Sequence, residues 1–99
     1  MRPVTLKQLA AWCGGTVTRG DEELTVEGVT RSSRDVRPGD LYVALQGQRF
    51  DGHSFIAEAM RKGARAALSM FPSADGTPMV LVEDTLTALG DIAAGYRST

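Results

Sequence analysis

Apolar residues recur along the chain with two periods. Leu6, Leu9, Ala10 and Cys13 fall at helical spacing, with Thr5 and Gln8 in capping-box positions ahead of them and Gly14-Gly15 as a stop, which predicts a helix over 5–13. In "TVTRGDEELTVEGVT" the spacing shortens: Val17, Leu24, Val26 and Val29 lie around a Gly20-Asp21 turn, the pattern of short strands in a half-buried sheet. Pro38 and Gly39 break the chain before "LYVAL", a compact apolar strand at 41–45. Asp51 can cap a helix over 53–62 that carries Phe55, Ile56, Ala59 and Met60 on its apolar side and stops at Gly63. "ARAALSM" and "MVLV" read as two buried strands separated by a loop from Phe71 to Pro78. Asp84 caps a last helix whose positions Leu86, Leu89, Ile92, Ala93 and Tyr96 should pack on the sheet.

This order predicts an α/β fold, a small single domain with a short mixed β-sheet covered by about three helices. Ninety-nine residues suffice for one modest core, so chemistry needing two domains requires material outside this chain.

Composition narrows the classes. With 42% hydrophobic and 23% charged residues and a net charge of -1, the chain is neither disordered nor broadly basic, and no nucleic-acid partner is expected. No apolar run approaches the roughly 20 residues needed to span a bilayer, and "MRPVTLKQL" lacks the apolar stretch of a signal peptide, so a cytoplasmic location is the expectation. Cys13 has no partner for a disulfide, and one Cys with one His is too little for a closed zinc site. Cys13 is expected to be a small core residue, and no metal is expected.

Familiar catalytic signatures are missing. A phosphate loop ends in Gly-Lys-Ser or Gly-Lys-Thr, and the sequence has no Gly-Lys pair. No Gly-x-Gly-x-x-Gly follows a strand, and no nucleophile elbow accompanies the Ser, His and Asp residues. His53, two residues after Asp51, suits a helix start better than a general base, so no catalytic residue is expected in the chain.

Two loop segments combine position with polar contact chemistry. "TRSSRDVRPGD" offers two serine hydroxyls and three guanidiniums, suited to planar, bidentate contact with phosphate or carboxylate. "GQRFDGH" offers Gly47 for close backbone approach, Gln48 and Arg49 for hydrogen bonds and Phe50 as a stacking face. A base, a sugar and a diphosphate would call for this assortment. The same residues also fit a blander structure, in which a Ser-capped turn carries solvated arginines and a tight turn buries Phe50 in the core.

The run "GVTRSSRDVRPGDLYVALQGQRFDGHSFIAEAMRKGARAAL" resembles the N-terminal domain of the Mur ligases, whose pattern is approximately Asp-Ser-Arg, then Pro-Gly-Asp-Leu-Phe-Val-Ala-Leu, then Gly and Asp-Gly-His-x-Phe, then Ala and Gly-Ala. The match extends over nearly the whole chain. Phe50 before Asp51, the opening "TLKQLAAWCGG" and the closing "VEDTLTALGDIAAGYR" are more similar to the branch adding D-alanyl-D-alanine than to the branch adding the third residue of the peptide. The resemblance implies a domain that holds the UDP end of a UDP-N-acetylmuramoyl-peptide. It assigns Arg31, Ser33, Arg34, Gln48, Arg49 and Phe50 to the UDP moiety, and Gly47, Asp51, Gly52 and His53 to shaping the loop. By the same resemblance, ATP and Mg2+ belong to a central domain and the incoming amine to a C-terminal domain. Both are absent from this chain, which ends at "GYRST", just before such a ligase would begin its linker and phosphate loop; an excised domain is the expectation. The rival readings are the equivalent domain of the third-residue-adding ligase and a free-standing, non-enzymatic nucleotide-sugar binding module. One departure stands out: Ser32 occupies the position where the family usually has Asp, so a hydroxyl must shape the turn there.

Overall fold

The computed structural model describes residues 1–72 and 75–98. A two-residue strand β1 (Val4–Thr5) leads directly into helix α1 (Leu6–Cys13). Strands β2 (Thr16–Thr18), β3 (Thr25–Val26), β4 (Gly28–Thr30) and β5 (Asp40–Val43) follow. A 3-10 turn at Gly52–Phe55 runs into α2 (Ile56–Arg61), and β6 (Ala66–Ser69), β7 (Met79–Leu81) and α3 (Thr85–Arg97) complete the domain.

The five-stranded sheet has the order β2-β7-β6-β5-β4. Its strands β4, β5, β6 and β7 run parallel, and β2 closes one edge antiparallel to β7. The sheet is therefore mixed, and helices cover both faces, the expected α/β architecture. β1 and β3 form a separate antiparallel pair. The short strands on either side of the Gly20-Asp21 turn do not pair with each other: β2 joins β7 while β3 joins β1. Alternation reports which face a strand buries, whereas partner choice depends on residues far along the chain.

Strand β5 shows why "LYVAL" is apolar throughout. Leu41 and Val43 point into the larger core with Leu6, Leu9, Val26, Leu68, Val80 and Ile92, under α1 and α3. Tyr42 and Ala44 point the other way, to Ala59 and Ala64 beneath α2, with Val36, Phe55, Ile56 and Met60 at the margin. A parallel strand covered on both faces must be apolar throughout. Cys13 is half-buried at the edge of the larger core, and burial pushes its thiol pKa up, so it rests as an unreactive thiol.

Helix ends follow local chemistry. The Thr5 hydroxyl accepts the Gln8 N–H at 3.0 Å, and Asp84 accepts the N–H groups of Leu86 and Thr87 at 2.9 and 3.2 Å. On α3 the inward stripe is Thr85, Ala88 and Ile92. Leu86 is 65% exposed and Ala93 is also exposed, so these two of the five apolar positions read as packing on the sheet do not do so. Two apolar stripes one residue apart compete on this helix, and the inward one contains the close contact with α1. There Gly95 meets Trp12: a Cβ at Gly95 would come within 2.3–2.5 Å of the indole ring atoms.

This contact sets opposite expectations for two glycines of one helix. A Cβ at Gly90 meets nothing within 4 Å, so Gly90→Ala should stabilise by up to about 1 kcal/mol through helix propensity. Gly95→Ala gains the same propensity but must displace Trp12, an overpacking cost of about 1–3 kcal/mol, and should be net destabilising. Urea unfolding of the two variants checks the difference in sign.

Candidate functional site

The parallel strands β4 and β5 are neighbours, so the loops leaving their C-terminal ends lie side by side, at the sheet end where open α/β folds bind ligands. The loop after β4 carries Arg31 to Arg37. Its first turn is built by hydroxyls: the Thr30 Oγ accepts the Ser32 N–H at 3.2 Å, and the Ser32 Oγ accepts the Arg34 N–H at 3.3 Å. A serine side chain thus makes the local turn at the position where the family pattern has Asp. The loop returns to the sheet through Pro38-Gly39, with Gly39 at φ 91° and the Asp40 carboxylate accepting the Arg37 N–H at 2.9 Å.

The loop after β5 is a small hairpin. Gln46 bridges Asp51 antiparallel, and the Gly47 N–H donates to the Phe50 carbonyl at 2.6 Å, leaving Gln48 and Arg49 at the tip. At its base the Gly52 N–H donates to the Leu45 carbonyl at 2.6 Å. A Cβ at Gly52 would lie 2.8 Å from both the N and the O of Leu45, so only glycine allows this approach. The buried Tyr42 hydroxyl donates to the Gly52 carbonyl at 2.9 Å, and burial pushes the phenol pKa up.

Asp51 and His53 lock the hairpin to the rest of the sheet. The Asp51 carboxylate caps the 3-10 turn by accepting the His53 N–H at 3.0 Å and also pairs with His53 Nδ1 at 2.7 Å. The His53 backbone N–H first, and then the His53 ring, hold the Asp51 carboxyl below the usual carboxylate range. His53 Nε2 accepts the Met70 N–H at 3.0 Å, which assigns the ring proton to Nδ1, where it is donated to Asp51. The same ring meets Phe71 edge-on at 4.8 Å. With both nitrogens engaged, His53 has neither a free lone pair nor a free N–H for general acid–base work.

Between the two loops lies a cavity of about 380 Å3, lined by Arg31, Ser32, Ser33, Arg34, Phe50, Phe55 and Glu58. Four of the six residues assigned to a UDP moiety, Arg31, Ser33, Arg34 and Phe50, come together here. Gln48 and Arg49 do not line it; they are exposed at the adjoining hairpin tip. Phe50 is 50% exposed and belongs to neither core cluster. Its ring stacks on Phe55 at 5.3 Å with an interplanar angle of 16°, which fixes its orientation.

Two lining residues were missed from sequence. Phe55 was read only as part of the helix's apolar side, and Glu58 was not singled out. Their three-residue separation along a helical segment was the available signal, since it puts both on the side facing the loop after β4. The Ser33 hydroxyl, by hydrogen bonding, and then Lys62 hold the Glu58 carboxyl below the usual range. Lys62 Nζ stands 3.7 Å from Glu58 Oε1, an exposed pair worth little to stability.

A larger cleft of about 710 Å3 opens elsewhere, between the C-terminal end of α1, β7 and the start of α3. Its ionisable lining consists of Cys13, Glu83, Asp84 and Asp91, with no basic side chain, a poor setting for a phosphate. Among the described residues no group of three or more His, Cys, Asp or Glu side chains could hold a metal ion, and no helix is long and apolar enough to cross a membrane.

Comparison with known proteins agrees with this architecture. The chain is 40% identical over 97 residues to the UDP-N-acetylmuramoyl-tripeptide--D-alanyl-D-alanine ligase of Escherichia coli K12, covering 98% of this chain and 21% of that protein. It is 46% identical over 68 residues to the UDP-N-acetylmuramoyl-L-alanyl-D-glutamate--2,6-diaminopimelate ligase of Aquifex aeolicus, covering 69% of this chain and 14% of that one. The crystal structure of MurF from Acinetobacter baumannii superposes with a TM-score of 0.89 at 29% identity, over 99% of this chain and 22% of the crystallised one. The chain thus spans about a fifth of the length of these relatives. The family described as Mur ligase family, catalytic domain, matches residues 25–97, which include both loops of the cavity, and on that match the chain belongs to the Mur ligase family.

Proposed function

We propose that residues 1–99 form the UDP-substrate-binding domain of an ATP-dependent ligase that adds D-alanyl-D-alanine to UDP-N-acetylmuramoyl-tripeptide in cytoplasmic peptidoglycan precursor synthesis. The observation that carries this reading is the cavity between the loops after β4 and β5, where two arginines, two serines and an oriented aromatic ring meet. A stacked ring offers a face to a base, and guanidiniums match a diphosphate. Identity to the D-alanyl-D-alanine ligase over nearly the whole chain supports the choice of branch. The diaminopimelate ligase match favours a second reading, the same domain from the ligase adding the third residue. The two part on which precursor the full polypeptide extends.

In this reading the domain binds and orients one end of the substrate. ATP and Mg2+ belong to a central domain, the dipeptide belongs to a C-terminal domain, and acyl-phosphate formation and amide-bond closure take place there. The residues of this chain hold the nucleotide: Phe50 stacks, Arg31 and Arg34 meet phosphate with Ser33 beside them, and Gln48 and Arg49, at the adjoining hairpin tip, would close over the bound ligand. Gly47, Asp51, Gly52 and His53 hold that hairpin in place.

Two outcomes are expected. Without a Gly-Lys pair for a phosphate loop, the 99-residue chain should neither bind nor hydrolyse ATP, and saturable ATP binding in calorimetry would contradict this. Phe50→Ala should weaken UDP-N-acetylmuramoyl-tripeptide binding by about 1–3 kcal/mol through lost stacking. Its stability should fall by only about 0.5–1.5 kcal/mol, the worth of the Phe55 pair, and not the 3–5 kcal/mol of a buried Phe. Arg49→Ala should weaken binding at unchanged melting temperature. Titration calorimetry and thermal unfolding of both variants decide, and a Phe50→Ala chain that melts far lower while Arg49→Ala binds normally would remove the ligand-loop role.

A further inference from the structure

Among the described residues, Glu58 is the sole carboxylate lining the Arg31–Phe50 cavity. Every other polar side chain there, Arg31, Arg34, Ser32 and Ser33, can donate a hydrogen bond. One acceptor-only group set among donors is a pattern that can be matched to a ligand edge.

We propose that the Glu58 carboxylate is the specificity-determining group of this cavity and selects a uracil nucleotide over a cytosine nucleotide. The inference rests on the nucleotide-binding reading above and adds which group reads the base. The edge of uracil presents a carbonyl, an N3–H and a second carbonyl, that is, acceptor, donor, acceptor. Its complement is donor, acceptor, donor. Glu58 supplies the acceptor and its arginine and serine neighbours the donors. In the same pose cytosine would turn its N3 lone pair toward the carboxylate lone pairs with no proton between them, an unfavourable contact in place of a hydrogen bond.

The geometry suits this role. Phe50 and Glu58 line the same cavity, so a planar ring stacked on Phe50 within it lies among the polar lining groups. A carboxylate has roughly four acceptor sites, and Glu58 shares the cavity wall with Ser33. Ser33 and Lys62 also favour the ionised form, so the acceptor persists at neutral pH. Glu58 is half-buried on α2, a position where Gln is tolerated without disturbing the core.

Amide NMR titrations of the 99-residue chain with UDP, CDP and 2′-deoxy-UDP test the proposal, in the wild type and in Glu58→Gln and Phe50→Ala. The wild type should bind UDP about tenfold more tightly than CDP, the discrimination expected of one charge-assisted hydrogen bond in a partly open site. Glu58→Gln should bring that ratio close to one, mostly by weakening UDP, with the melting temperature unchanged. Glu58→Gln that leaves the ratio as in the wild type, or weakens UDP and CDP in parallel, would overturn the inference. So would a Glu58→Gln effect that vanishes with 2′-deoxy-UDP, because the carboxylate would then be reading the ribose. If UDP binding depends on Phe50 but the base preference ignores Glu58, only this inference fails. If no nucleotide perturbs the cavity amides, the nucleotide-binding reading fails with it.

Discussion

The candidate site depends on one close approach, that of Gly52 to the end of β5. Its N–H reaches the Leu45 carbonyl at 2.6 Å, and a methyl group there would sit 2.8 Å from the Leu45 backbone. The Tyr42 hydroxyl, projecting from the strand itself through the smaller core, closes the same junction from below by donating to the Gly52 carbonyl. The chain leaving β5 is thereby folded straight back on the strand it has left. A hairpin of six residues cannot hold its own shape in water. This one is held by a core strand at its base and by His53, through the Met70 N–H, at its side.

That arrangement links packing to function. Phe50 is presented at half exposure on a stacked partner and is not buried, because the hairpin is anchored elsewhere and has no need of an aromatic in the core. The loop after β4 is shaped separately, by Thr30 and Ser32 hydroxyls and the Pro38-Gly39 turn. The two loops meet because β4 and β5 are parallel neighbours, and the cationic and aromatic sides of the cavity come from different loops. The Phe50 ring is held in one orientation by Phe55 before a ligand arrives, which lowers the ordering cost that the ligand must meet.

The parts of the fold legible in the sequence are those whose causes are local. Thr5, Asp51 and Asp84 announce helix starts because a cap is satisfied within three residues, and the unbroken apolar run of β5 announces a strand covered on both faces. Strand partners were not legible. β2 pairs with β7 some sixty residues away, and β1 is too short to show a period at all. On α3 the pattern offered two stripes, and the choice between them is made by Gly95 against Trp12, a contact between distant segments. The site divides the same way. Arg31, Ser33, Arg34 and Phe50 could be singled out as loop residues of suitable chemistry, but Phe55 and Glu58 join them only because α2 packs beside the loop after β4. Their three-residue spacing puts them on one side of the helical segment, but which loop that side meets is decided by the packing of distant segments.

With its hairpin anchored, the smaller, cationic cavity is the proposed nucleotide site, in preference to the larger, acidic cleft beside α3. Intermolecular nuclear Overhauser effects between UDP and the isotope-labelled 99-residue chain address it directly. Contacts from the uracil H5 and H6 protons to the Phe50 ring are expected, with amide shifts confined to the loops after β4 and β5. Contacts to Thr87 or Ala88, in the cleft lined by Glu83, Asp84 and Asp91, would contradict it.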